Sequence, residues 1–339
     1  MNKIKVKDVH HPGVAEEFDR LTVNDIQKLL TKRDQFVDTG CPACHSLNVK
    51  SAFNYQGMDY RRCCECELLY VSPAPTEALH LEYVLNSTAM KFWREIANPG
   101  MRESRRPMYQ ERVEYAKKII QRFKPNSKNC LEVGAGNGEF AQELTNEQIF
   151  NEIVVLEPQE LTLNMDSIEV ITGGFEELES HERTFDVVFA WELIEHILEP
   201  DQFLRLVRKV MNSDGIFIIS TPNENSVETR TLGTDSSNII FDHVRLYNPV
   251  AITELLSRNG FRVLDISTPG LLDVERLKQH LDKKTDLFSD NPALHFLLMQ
   301  DDKITAAFQN YLKENLHSSH MRVVATIDGE WKGSKTPVL

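Results

Sequence analysis

The 339-residue sequence has no apolar run near the ~20 residues that a bilayer-spanning helix needs, which excludes an α-helical membrane span. Its first residues, MNKIKVKDVHHPG, lack the apolar core and small-residue cleavage site of a secretory signal, so a cytoplasmic location is expected. Basic charge is in short supply. The 38 Lys and Arg face 51 Asp and Glu, and the net charge of −13 repels nucleic acid and anionic membranes. Cysteine is nearly absent outside one cluster, with five of the six between positions 41 and 66, which argues against a disulfide framework. Cys130 stands alone in an apolar setting and reads as a core residue. Internal repeats and low-complexity tracts are missing too.

What is present is an ordinary globular composition, 41% hydrophobic and 26% charged, at a length that suits two domains or one enlarged one. Apolar residues at helical spacing over 14–36 predict one or two helices. Residues 39–75 are loop-rich and carry the cysteines. Thr76 is placed to cap a helix running toward Asn98, with Pro99-Gly100 as its stop, and Pro107 to Phe123 predicts another. From residue 128 the period changes. Apolar runs at 129–133, 152–156, 168–171, 186–190, 215–220, 261–266 and 319–327 predict seven strands with helices between them. That pattern is α/β: a Rossmann-like sheet with helices on both faces. The helical stretch 268–318 predicts an insertion forming a substrate lid or, in the plainer reading, a dimer interface. The expected division is 1–75, N-terminal helices and a cysteine ribbon; 76–127, a helical linker or cover; and 128–339, the main domain.

Cys41-Pro-Ala-Cys44 and Cys63-Cys64-Glu65-Cys66 form two C-x2-C pairs. Such pairs on two turns can present four thiolates to one Zn²⁺ at about 2.3 Å, with Cys63 and Cys66 the natural second pair and a shifted pairing through Cys64 the alternative. Four thiolates leave no open coordination position, so the ion's role is structural rather than hydrolytic. Ten basic and ten acidic residues through position 75 leave this region neutral, which is no footprint for a phosphate backbone.

The first strand runs into Glu132-Val133-Gly134-Ala135-Gly136-Asn137-Gly138. Glycines at this edge let the backbone turn sharply and approach a ligand. The dinucleotide spacing G-x-G-x-x-G fails at Glu139, and the pattern is instead E-x-G-x-G-x-G. A carboxylate this close suits a cationic ligand better than a pyrophosphate. Glu157, ending the second strand, can accept both hydroxyls of a ribose.

LEVGAGNG, VLEP, FDVVFAWELIEHILEPDQFL and DGIFIISTPN, in this order over roughly 128–266, resemble the class I S-adenosylmethionine-dependent methyltransferases. The preceding CPAC and CCECELLYVSPAP are similar to a bacterial subgroup associated with surface-polysaccharide or modified-sugar pathways. Sugar C-methyltransferases share that knuckle, but nothing beyond residue 270 matches their long C-terminal domain. The resemblance implies the seven-stranded methyltransferase sheet. It also implies that Gly134, Gly136 and Gly138 line the methionine part, Glu157 binds ribose and Phe175 flanks adenine. Glu132, Ala135, Pro158 and Trp191 complete the expected cofactor set.

Glu192, Glu195 and His196 follow the fourth strand at i, i+3 and i+4, and would face one direction if the segment turns helically. His243 follows the fifth strand. Three readings stay open. His196 or His243, with Glu192, serves catalysis as a general base. Alternatively Glu192, Glu195, His196 and His243 bind Mg²⁺ or a transition ion, an E-x-x-E-H pattern with a later His that resembles ubiquinone-pathway and small-RNA O-methyltransferases. In the third, the acids merely complement a helix start. The leading expectation is methyl transfer to a small molecule, a sugar or nucleotide-sugar intermediate, with nucleic acid disfavoured as partner. The alternative is an RNA methyltransferase that holds its substrate by the ribbon. A nicotinamide oxidoreductase is disfavoured by the failed glycine, and a cofactor-binding subunit without activity by the intact loop. Oligomeric state stays open, a homodimer among the options.

Overall fold

The computed structural model describes residues 12–161, 167–281, 283 and 285–329. Helix α1 (Pro12–Leu30) leads to a small antiparallel sheet: β1 (Val49–Tyr55), β2 (Met58–Cys63) and β3 (Leu69–Val71). β1 and β2 are joined by Gln56 and Gly57, both at positive φ (51° and 89°), which matches a tight two-residue hairpin to the strand twist. Ile26 and Leu29 of α1 pack on Met58, Tyr60, Leu69 and Val71, so helix and ribbon share one core.

Helix α2 (Glu77–Asn86) stops short of Asn98, because Ser87 turns extended and its hydroxyl caps the next turn at the Met90 N–H. Pro99-Gly100 does not end the helical region. Pro99 directly follows the wide helical turn Trp93–Ala97, with Ala97 and Asn98 still helical, and α3 (Arg102–Phe123) follows. Pro107 therefore lies inside α3 rather than opening it, at the loss of one ladder hydrogen bond.

The main sheet is built from β4 (Asn129–Val133), β5 (Glu152–Glu157), β6 (Glu169–Thr172), β7 (Phe185–Trp191), β8 (Met211–Pro222), β10 (Phe261–Ser267) and β11 (His320–Ile327). All seven expected runs form strands. Across the sheet the order is β10-β11-β8-β7-β4-β5-β6, with β11 antiparallel to both neighbours. Central strands buried on both faces are the mark of a sheet covered by helices on each side. Those covers include α3, α4 (Glu139–Asn146), α5 (Pro200–Lys209) and α6 (Pro249–Arg258). This is an α/β fold with a mixed seven-stranded sheet and helices on both faces.

The expected boundary at residue 75 is crossed by hydrogen bonds. A short strand β9 (Arg245–Leu246), after β8, pairs with β3, so the ribbon sheet reads β9-β3-β2-β1. Arg258 fastens the seam further, donating from Nε to the Ala43 carbonyl at 3.1 Å. The insertion between β10 and β11 contains α7 (Asp273–Leu281), α8 (Pro292–Leu298) and α9 (Asp302–Glu314). They enclose a separate small core of Leu277, Phe288, Leu294, Leu298 and Leu312 with Leu232. Among the described residues no helix is long and apolar enough to cross a membrane.

Candidate active site

At the carboxyl edge of β4 the chain turns through Gly134, Gly136 and Gly138, at φ of 74°, 59° and 88°. These left-handed conformations disfavour any residue with a Cβ. At Gly134 a Cβ would also come within 3.0 Å of Leu193, so the loop lies directly against the segment that follows β7. The Gly134 N–H donates to the Leu156 carbonyl at 2.8 Å, and the Gly136 N–H donates to Glu157 Oε2 at 2.9 Å. Burial pushes the Glu157 carboxyl up to about 7, against the pull of that N–H.

Glu132 is 3% exposed, and burial holds its carboxyl well above the usual range, opposed by the Arg112 guanidinium. Its Oε2 has no hydrogen-bond partner, and neither have Asn137 Nδ2 and Trp191 Nε1, all three buried. Buried polar atoms are ordinarily paired, so three orphans around one loop describe a cradle for a polar ligand. Ala135 is buried in the loop. Pro158 follows Glu157 at the surface, and Phe175 opens the turn after β6 with its ring 5.6 Å from Phe203. Trp191 ends β7 with Arg112 and Arg322 at 5.4 and 5.8 Å from its ring centre.

Beyond Trp191 the four expected acid and histidine residues separate. Glu192 takes a positive φ of 49° and turns away from its neighbours. Its carboxylate accepts the Ser220 hydroxyl at 2.5 Å, stands 3.2 Å from His320 Nδ1 and 3.9 Å from Arg112. Burial opposes its charge, but His320, Arg112 and Ser220 together hold it below the usual carboxylate range. The expectation that Glu192, Glu195 and His196 share one face is therefore corrected. The left-handed kink breaks the helical phase before the short turn Ile194–His196 begins.

Glu195, fully buried, instead groups with His196 and His243, one ligand atom of each within 4.8 Å of the others. His196 Nδ1 bonds the Asp242 carbonyl and His243 Nδ1 the Asn238 carbonyl, each at 2.9 Å. Burial, with His196 adjacent, lowers His243 to about 4, and burial pushes the Glu195 carboxyl well up.

In the ribbon, Cys41, Cys44, Cys63 and Cys66 converge, with Sγ separations of 3.4 Å (Cys41–Cys66) and 3.5 Å (Cys44–Cys63). A tetrahedral ion with 2.3 Å bonds needs edges of roughly 3.8 Å, so the four sulfurs fit one. Cys66 is drawn down to about 6 by hydrogen bonding from Cys41, which is itself pushed up. Burial raises Cys44 to about 11. Cys64 is exposed and outside the cluster.

Several members of the site are invisible to local motif reading. His320 and Arg112 join Glu192 from the last strand and from α3, far away in sequence. His80, on α2, reaches the His196 carbonyl from Nε2 at 3.1 Å. Asp242 adds a carboxylate 3.5 Å from His196 Nδ1.

Residues 106–266 match the family model described as a methyltransferase domain. A Mycolicibacterium smegmatis protein named as a probable S-adenosylmethionine-dependent methyltransferase is 29% identical over 143 residues, 41% of this chain and 53% of that protein. One of the same description from Mycobacterium tuberculosis is 27% identical over 167 residues, 47% of this chain and 58% of its own length. The chain thus spans little more than half the length of the curated relatives it matches. A crystal structure of the plantazolicin methyltransferase BpumL with a desmethyl analogue and S-adenosylhomocysteine covers 74% of this chain and 95% of that one, at 14% identity and TM-score 0.47. The segment 106–266 is thus similar to a methyltransferase domain.

Proposed function

We propose that this chain transfers a methyl group from S-adenosylmethionine to a small-molecule acceptor, a sugar or nucleotide-sugar intermediate of surface-polysaccharide synthesis. One observation carries the cofactor: three left-handed glycines set between the buried carboxylates of Glu132 and Glu157, with unpartnered polar atoms around them. Glu157 would hold the ribose hydroxyls, Glu132 would face the cationic methionine end, and Phe175 would flank the adenine. S-adenosylmethionine brings its own electrophile, a sulfonium methyl, so the protein's work is positioning and proton removal. His320 has its Nδ1 turned to Glu192, leaving Nε2 to take a proton from the acceptor's nucleophilic atom. Glu192, fixed by Ser220 and Arg112, holds that ring in place.

The acidic chain and neutral ribbon region support a small acceptor over RNA. The four ribbon thiols would bind a structural Zn²⁺ and take no part in the transfer. Calorimetric titration tests the core of this reading: S-adenosylmethionine should bind and NAD should not, and the reverse would overturn it. S-adenosylhomocysteine release with nucleotide sugars, against structured RNA, then decides the acceptor class.

A further inference from the structure

The helical insertion buries only one side of itself. On α9, Leu312 lies in the small core with Leu277 and Phe288, and Phe308 packs half-buried against it. Ile304, Ala307 and Tyr311, at i, i+3 and i+7, share a different face of the same helix and are exposed, Ile304 to 41% and Tyr311 to 54%. On α8, Leu294 and Leu298 turn inward, whereas Phe296 and the adjoining Met299 are exposed to 68% and 64%. A lone exposed apolar residue needs no explanation. Four large ones concentrated on two consecutive helices mark a contact surface. The charge around them is close to balanced. Over 292–316, Asp301, Asp302 and Glu314 stand against Lys303 and Lys313, in a chain whose net charge is −13.

We propose that this face binds a second copy of the chain, with α9 packed antiparallel on α9 about a two-fold axis. The charges choose this occupant. Lys303 and Glu314, both exposed, are about three helical turns apart and so lie along one flank of the apolar stripe, away from the small core. A two-fold axis that reverses one α9 on the other brings Lys303 of each copy to Glu314 of the other, with the stripe between the two pairs. That axis passes near Phe308, which is also the middle of the stretch from Ile304 to Tyr311, so one placement satisfies charges and stripe together. Each helix N-terminus then lies beside the C-terminus of the other, the favourable order for their dipoles. A strongly acidic or basic partner would find no surplus charge here to match. Two acidic chains, in contrast, repel least where their surfaces are nearly neutral. With 13 residues, α9 spans about 20 Å, so the contact is small and its affinity belongs in the micromolar range.

Analytical ultracentrifugation of the full-length protein across the micromolar range tests this. Wild type should pass from monomer to dimer as concentration rises. Ile304→Glu with Tyr311→Glu should stay monomeric at every concentration, with the circular dichroism of the wild type. Lys303→Glu and Glu314→Lys should each weaken self-association about tenfold or more, because each sets two like-charged pairs across the axis. Mixed with each other, these two variants should associate again, since every pair in the mixed dimer has opposite signs. That rescue reports on pairing geometry and not on folding. A wild type that stays monomeric throughout overturns the proposal, as does a dimer that survives Ile304→Glu with Tyr311→Glu. Failure of the two charge variants to associate when mixed overturns the antiparallel arrangement. The contact involves the insertion alone, so none of these outcomes bears on the cofactor reading.

Discussion

At the scale of single residues the site works by placing charge where water is scarce. Glu157 shows the consequence. Its carboxyl ionises near 7 in the folded protein and near 4.5 in an unfolded chain. The sign follows from proton binding: the folded form holds its proton more tightly. The stabilisation this gives the ligand-free protein is full below pH 4.5 and is lost as pH rises through about 7. Ribose recognition requires the opposite form, the carboxylate that can accept from two hydroxyls. Affinity for S-adenosylhomocysteine should therefore rise about fivefold to tenfold between about pH 6 and about pH 8. Glu157→Gln should bind weakly at both values with little slope, as calorimetry would read. An affinity that is flat with pH in the wild type would remove Glu157 from the ribose site.

Much at this scale was legible before the fold was known, because it is written in short spacings. The glycine loop, Glu157 and the two C-x2-C pairs need only local geometry to be meaningful, and all keep company in space as their spacing implies. His320 could not be found that way. It reaches Glu192 because β11 runs antiparallel beside β8 and places His320 opposite Pro222, a fact of sheet order rather than of sequence. The phase of Glu192 was equally hidden, since one left-handed residue after a strand is decided by tertiary context, here the Ser220 backbone and hydroxyl that receive its N–H.

Among the elements, the insertion between β10 and β11 depends on one buried acid. Asp273, at the start of α7, accepts from Gln309 of α9 at 2.7 Å, from the Ser319 N–H at 2.6 Å and from the Ser318 hydroxyl at 2.5 Å. Those partners bracket the helical insertion and fasten its return to β11, just before His320. Asp273→Ala would leave several buried donors unpaired, at a cost of about 2–4 kcal/mol. The expected result is a lower melting temperature together with protease cleavage confined to 268–318. Cleavage spread evenly over the chain would mean that the residue serves general stability instead. The helical character of this insertion was evident from periodicity. Its latch was not, because Asp273 and Ser318 are brought together only by the closed helical excursion between them.

For the whole molecule, ribbon and sheet form one connected structure. Removing an ion from the four cysteines should loosen more than residues 39–75, because β3 pairs with β9 and the Val71 N–H donates to the Val244 carbonyl. With a strong chelator, hydrogen exchange should accelerate at 241–247 as well as in the ribbon, while β4 and β5 remain protected. Cys63→Ser should reproduce that pattern without chelator and Cys64→Ser should not, in keeping with the exposed position of Cys64. Unchanged exchange at 241–247 would show the ribbon to be an independent appendage.

The pairing of β9 with β3 also bears on how the chain is made. Arg245 and Val71, which meet through a side-chain hydrogen bond at this seam, are 174 residues apart. During synthesis at about 5–20 residues per second, the ribbon must wait on the order of ten seconds or more with an open edge. Its hairpin can fold and gather its thiols in that interval, but its last strand arrives only after most of the catalytic sheet. Transplanting residues 1–75 onto another enzyme would therefore carry across an unfinished sheet, and evolution would have to move the two halves as one.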